Sequence, residues 1–209
     1  MRIKSNWAKT DKEKTPQEIG GALAFVLWKI GDHELQATRK AGFEIEIGPQ
    51  YFDFLSEFLI FLVMVADRVV YLNSAPETRI AITSYLANRL GEHLSENQSR
   101  LLGDDFSDYQ PNHAAIAAYK QRFLDQINLR AGEYAEFHYD QHGPDFAFTR
   151  YLGFCLRPVM QGRDIEWVVQ QMMDITAPDA IKMVDKTVKD LLGLGTARPR
   201  RTRRSVEQV

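Results

Sequence analysis

The segment from Pro49 to Leu72 limits the folds open to this chain more than any other feature. Its apolar run, Phe58 to Ala66, ends at Asp67-Arg68 and is far too short to span a membrane. A helix this apolar has to sit at the centre of a core, covered by the rest of the chain. The chain has material for that cover: 209 residues, 44% hydrophobic and 26% charged. These proportions exclude a disordered polymer, a collagen-like fibre, a disulfide-stapled miniprotein and a polytopic membrane protein.

The surrounding segments read as helices. Thr15-Pro16-Gln17-Glu18 combines a capping box with proline at the first helical position, so a first helix starts there and frays near Gly42. Ile19, Leu23, Val26, Ile30 and Ala37 recur at steps of three and four, with Leu27, Trp28 and Leu35 adding apolar surface on other faces. Gly42 to Ile47 alternates apolar and acidic residues as a short extended piece. After the central helix, Ser74-Ala-Pro-Glu77 reads as a second capping box, opening a helix that stops at Gly91 or a turn later. Residues 95–111 read as a polar loop.

Pro111 then begins a long helix reaching about Asp140, with Ile116, Phe123, Ile127, Ala131, Tyr134 and His138 along one stripe, until Gly143-Pro144 breaks it. A helix to Leu156, one from about Asp164 to Met173, and one from Thr176-Ala-Pro-Asp179 to just before Gly193 complete the count. The expected fold class is all-α: a single-domain bundle of six to seven helices over residues 15–196. A polar segment, 1–14, precedes it, and an Arg-rich flexible tail, 197–209, follows.

Charge is unevenly spread. Arg198, Arg200, Arg201, Arg203 and Arg204 crowd the tail, which leaves residues 1–196 with a net charge of -6. An acidic body is poorly suited to gripping a nucleic-acid backbone, so the tail alone is a candidate for phosphates, RNA or an acidic partner. Otherwise it is a solvated terminus. Cys155 is the lone cysteine, in an apolar setting that suits a reducing compartment. The N-terminus lacks the apolar stretch of a signal peptide, so the expectation is a cytoplasmic protein.

Histidine and carboxylate spacing defines what metal chemistry the chain could support. No Glu-x-x-His occurs, which argues against a carboxylate-bridged dimetal bundle. His138 and His142 are four apart, so on a helix both imidazoles would share a face, with His33 of the first helix as a third ligand. The other reading makes His138 and His33 hydrogen-bonded core residues and His142 a helix-terminal one. Asp104, Asp105 and Asp108 match the Asp-Asp-x-x-Asp spacing by which helical isoprenoid synthases hold magnesium. Without a second such motif, they read better as turn caps.

Asp53, Glu57, Ile60, Met64, Asp67 and Tyr71 follow one face of the central helix. Acids in so apolar a helix need partners, local or distant, or a pocket to line. A ligand pocket between this helix and the fourth would gather Asp67, Tyr71, Tyr134 and His138, with His138 as ligand or general base. Its cofactor is unknown. No Gly-x-Ser-x-Gly, Walker loop, Gly-x-Gly-x-x-Gly or Cys-x-x-Cys is present.

Aromatics are abundant: Tyr51, Phe52, Phe54, Phe58 and Phe61 on the central helix, and Tyr134, Phe137, Tyr139, Phe146, Phe148, Tyr151 and Phe154 further on. Those the core does not use suit a homo-oligomer interface or an apolar pocket. The expectation is a protein acting by association, as adaptor, assembly factor or regulator, rather than an enzyme. The alternative is a small-molecule or metal-binding helical bundle, which could be an enzyme, with a pocket around Asp67 and His138.

Overall fold

A computed structural model describes residues 14–103 and 112–195. Helix α1 spans Pro16–Lys40, and both bonds of its capping box form: Glu18 N–H donates to Thr15 Oγ1 (3.2 Å) and Thr15 N–H to Glu18 Oε2 (2.9 Å). Helix α2 spans Pro49–Asn73 and occupies the middle, touching α1 and three later helices, α3 (Pro76–Leu102), α4 (His113–Tyr134) and α5 (Phe146–Leu156), as well as the last helix, α7 (Ala177–Leu191). Every residue from Phe58 to Ala66 is buried, as an all-round apolar helix requires. The arrangement is an all-helical bundle, and among the described residues no helix is long and apolar enough to cross a membrane.

The structure corrects four boundaries. Helix α3 continues through Gly91 to Leu102, so residues 95–102 of the expected 95–111 loop are helical; residues 104–111 lie outside the described ones. Gly91 is a packing glycine: a Cβ there would come 3.2 Å from Lys120 Cγ and 3.4 Å from the Phe123 ring of α4. The helix ends instead at Gly103, whose φ of 83° is the left-handed conformation glycine adopts freely. Ser74-Ala-Pro-Glu77 is no capping box, because Ala75 occupies the N-cap and makes no side-chain bond.

Helix α4 is capped by Asn112, whose side chain accepts from Ala115 N–H (3.0 Å), and stops at Tyr134 rather than Asp140. Beyond it the chain turns into a two-residue hairpin, β1 (Tyr139–Asp140) against β2 (Gly143–Pro144), with Gly143 at φ 108°. Asp145 locks this turn: one carboxylate oxygen accepts from His138 N–H (3.1 Å) and the other caps α5 at Phe148 N–H (2.7 Å).

The last break is also absent. Helix α6 (Asp164–Gln171) runs into α7 through a π-helical turn over Met172–Thr176, and Thr176 has helical dihedrals instead of capping a new start. Pro178 gives the reason. It cannot donate to the carbonyl four residues back, and its ring crowds that carbonyl, so a widened turn lets the helix pass.

Helix α1 packs between α2, α3 and α7, and its inward face includes Glu34. Burial pushes this carboxyl above the usual range, opposed by His33 beside it (4.0 Å) and reinforced by Asp179 of α7. A raised folded-state value means the folded form binds the proton more tightly, so the carboxylate destabilises increasingly as pH rises through that range. Glu34→Gln should therefore melt at a higher temperature than the parent at pH 7, and this advantage should vanish below about pH 4, where both side chains are neutral. An equal melting temperature at pH 7 would count against this account.

Candidate functional site

His138 and His142 lie on the hairpin, not on a helix, so the four-residue spacing does not place them on a common helical face. Asp140 organises the turn. Its Oδ1 accepts from His142 N–H (2.7 Å) and its Oδ2 faces His138 Nε2 (3.3 Å). These two contacts, the backbone one first, lower the Asp140 carboxyl below its ordinary value. His33 is on α1 with its side chain 74% exposed, outside the buried stripe. Among the described residues, no three His, Cys, Asp or Glu side chains are grouped to hold a metal ion. Asp104, Asp105 and Asp108, like Arg198, Arg200, Arg201, Arg203 and Arg204, lie outside the described residues.

Two of the four pocket candidates, Asp67 and Tyr71, meet at Arg79, and Tyr134 and His138 make other contacts. Asp67 is engaged by Arg79 of α3 through both carboxylate oxygens (2.8 and 2.5 Å) and by the Thr83 hydroxyl (2.9 Å). Tyr71 is exposed, with the Arg79 guanidinium 4.9 Å over its ring. Tyr134 is buried among Phe61, Phe137, Phe148 and Tyr151, and its carbonyl accepts from Arg68 (3.0 Å). His138 is largely exposed. A cleft of about 360 Å³ does exist nearby, between the hairpin, the end of α2 and α7. It is lined by Val69, Leu72 and Ile181, by Asp140 and His142 of the hairpin and by Lys182, Asp185 and Lys189 of α7; Asp67, Tyr71, Tyr134 and His138 do not line it.

The central helix also carries a buried ionic network that sequence spacing left half-assigned. Glu57, 7% exposed, is bridged by Arg130 of α4 through Nε (3.0 Å) and Nη2 (2.5 Å), and Gln126 donates to it at 2.8 Å. Arg130 Nη1 continues to Glu133 (2.8 Å) and the Tyr151 hydroxyl (3.2 Å). Hydrogen bonding to Glu57 holds the guanidinium proton more firmly than usual. Cys155 sits beside this network, its thiol pushed up to about 12, chiefly by burial, so it is a poor nucleophile at neutral pH. Arg130 was legible in principle: it falls between Ile127 and Tyr134 on the inward register of α4.

The aromatics divide sharply. Tyr134, Phe137, Tyr139, Phe148 and Tyr151 join Phe61 in one cluster, with neighbouring ring centroids 4.7 to 6.3 Å apart. Phe146 and Phe154 instead face outward from α5, 65% and 41% exposed, and Arg150 between them lies 4.9 Å over the Phe154 ring. Helix α5 is thus apolar on both faces, with Arg150 its one charged side chain. Trp167 of α6 is another outlier at 62% exposed. No periodicity distinguishes these outward aromatics from core ones. No protein-family model matches the chain, and comparison with curated proteins and with solved structures likewise finds no match.

Proposed function

We propose that this chain acts in the cytoplasm by associating with another protein chain, a second copy of itself first, as an adaptor, assembly factor or regulator. The observation that carries this reading is the outer face of α5, where Phe146, Arg150 and Phe154 stand at four-residue steps. A surface helix ordinarily presents charge to water, and a helix apolar all round is ordinarily covered. Aromatic and arginine side chains together are also the types that dominate binding energy at protein interfaces.

Native mass spectrometry and sedimentation velocity test this. The parent chain should run as a clean multiple of 24.0 kDa. The double variant Phe146→Ser/Phe154→Ser should run as the monomer, with an unfolding midpoint close to the parent's when both are compared at concentrations too low for association, because both rings are exposed in the single chain. A parent that stays monomeric at every concentration would sink self-association through this face. The same spectra address a second reading, a small-molecule site in the cleft beside the hairpin, which its size and its mixed apolar and charged lining favour. A bound mass that survives gentle desolvation, and is lost on filling the cleft by Ile181→Trp, would support that reading.

A further inference from the structure

We infer that the outer face of α5 pairs with the same face of a second copy in an antiparallel, two-fold arrangement, in which each chain's Phe146 ring covers the open side of the partner's Arg150 guanidinium. This rests on the self-association proposed above and adds its geometry and the residue that decides it. Phe146, Arg150 and Phe154 stand at four-residue steps, so the stripe reads aromatic, cation, aromatic from either end. A two-fold contact needs such a surface, because residue i must meet residue j while j meets i. Turning the stripe over about Arg150 brings position 146 of one chain to position 154 of the other.

Spacing alone does not choose between antiparallel and parallel pairing; the Arg150 side chain does. Its guanidinium lies 4.9 Å over the Phe154 ring, so the charge sits toward the C-terminal end of the stripe and not at its middle. In a parallel pair the two guanidinium groups would stand at one level and repel across the contact. In an antiparallel pair they go to opposite ends, about 12 Å apart along the helix at a rise of roughly 1.5 Å per residue. That is beyond the screening length of physiological salt. The helix dipoles also oppose each other in this orientation.

The same orientation matches what each chain leaves open. Among the described residues, the Phe154 ring is the one partner of the exposed Arg150 guanidinium, and it takes only one face of that planar cation. Phe146 is 65% exposed, and among the described residues no cation lies over its ring. One Arg150 cannot serve both rings of its own stripe, since they lie a turn away on opposite sides of it. A second copy supplies the missing partner to each, and the contact forms twice, once on either side of the axis. The face is also preformed. Phe148, Leu152 and Leu156 bury the other side of α5, and a Cβ at Gly153 would come 2.7 Å from Val169 Cα of α6, so the helix is closely seated before a partner arrives.

The test uses Phe146→Cys and Phe154→Cys in the full-length chain, one of them isotope-labelled, treated with a short bismaleimide and read by mass spectrometry. Cys155 is buried, its thiol pushed up to about 12, and the parent chain measures its background. Sedimentation velocity on the same samples gives the fraction of dimer. The equimolar mixture should yield the labelled–unlabelled crosslink, and each variant alone should yield little, because positions 146 and 154 meet each other and not themselves. Self-crosslinking of each variant, or none in a mixture that still dimerises, would overturn the antiparallel arrangement while leaving association standing. A parent that is monomeric at every concentration would remove the association itself. Arg150→Glu should weaken dimerisation at least about tenfold, the loss of two cation–ring contacts, and leave the unfolding midpoint unchanged at concentrations too low for association. An unchanged dimer affinity would overturn the role given to Arg150.

Discussion

Arg130→Ala is expected to lower the unfolding free energy by about 3–5 kcal/mol, because it strands a buried carboxylate. Glu57 is held by two guanidinium bonds and one amide bond in the apolar centre of α2, with 7% of its side chain reaching solvent. Removing Arg130 also strips Glu133 and the Tyr151 hydroxyl of a donor. Urea unfolding with an unchanged m-value would read the loss directly. Glu57→Leu combined with Arg130→Met should recover most of it, since replacing both partners leaves no orphaned charge. If the double variant were as unstable as the single one, the pair would be doing more than bracing α2 against α4.

Phe148→Ala should cost a comparable amount, about 3–5 kcal/mol, by opening a cavity in a close-packed cluster. Its ring is fully buried and touches Phe61 (5.8 Å), Tyr134 (4.7 Å) and Tyr139 (5.4 Å), so it joins α2, α4 and the hairpin at one point. Phe146→Ala, two residues earlier on the same helix, should stay within about 0.5 kcal/mol when measured below the concentration at which the chain associates, because its ring is 65% exposed. The contrast is the informative quantity. Similar losses for the two variants would mean that the burial pattern of α5 is wrong, and with it the outward face on which the proposed association rests.

Helix starts written into adjacent residues were readable: Pro16 with its capping box, and Pro49. The errors came where one residue type serves two ends. Gly91 resembles a terminator, yet it lets α4 approach α3. Thr176-Ala-Pro-Asp179 resembles a start, yet a π-helical turn absorbs the proline and the helix continues. His138 extends the α4 stripe in sequence, but the chain leaves the helix at Tyr134, where Asp145 pulls the backbone into a hairpin. The Gly91 error depends on a helix the local pattern does not contain, and the other two on how the backbone accommodates a nearby proline or aspartate.

The sequence by itself determined the class of protein: an all-helical bundle around one apolar helix, without motifs for the common nucleophilic or nucleotide chemistries. It could do so because helix propensity, capping and apolar period act over a few residues along the chain. Only the tertiary structure decided which charges meet. Asp67 with Arg79 and Glu57 with Arg130 are pairs 12 and 73 residues apart, and Asp164 accepts the backbone N–H of Glu44, 120 residues away. Which acid is neutralised, which aromatic is covered and which arginine is left facing water all follow from the order of the helices in space. That order is set by how their faces pack against α2, and no period along the chain encodes it.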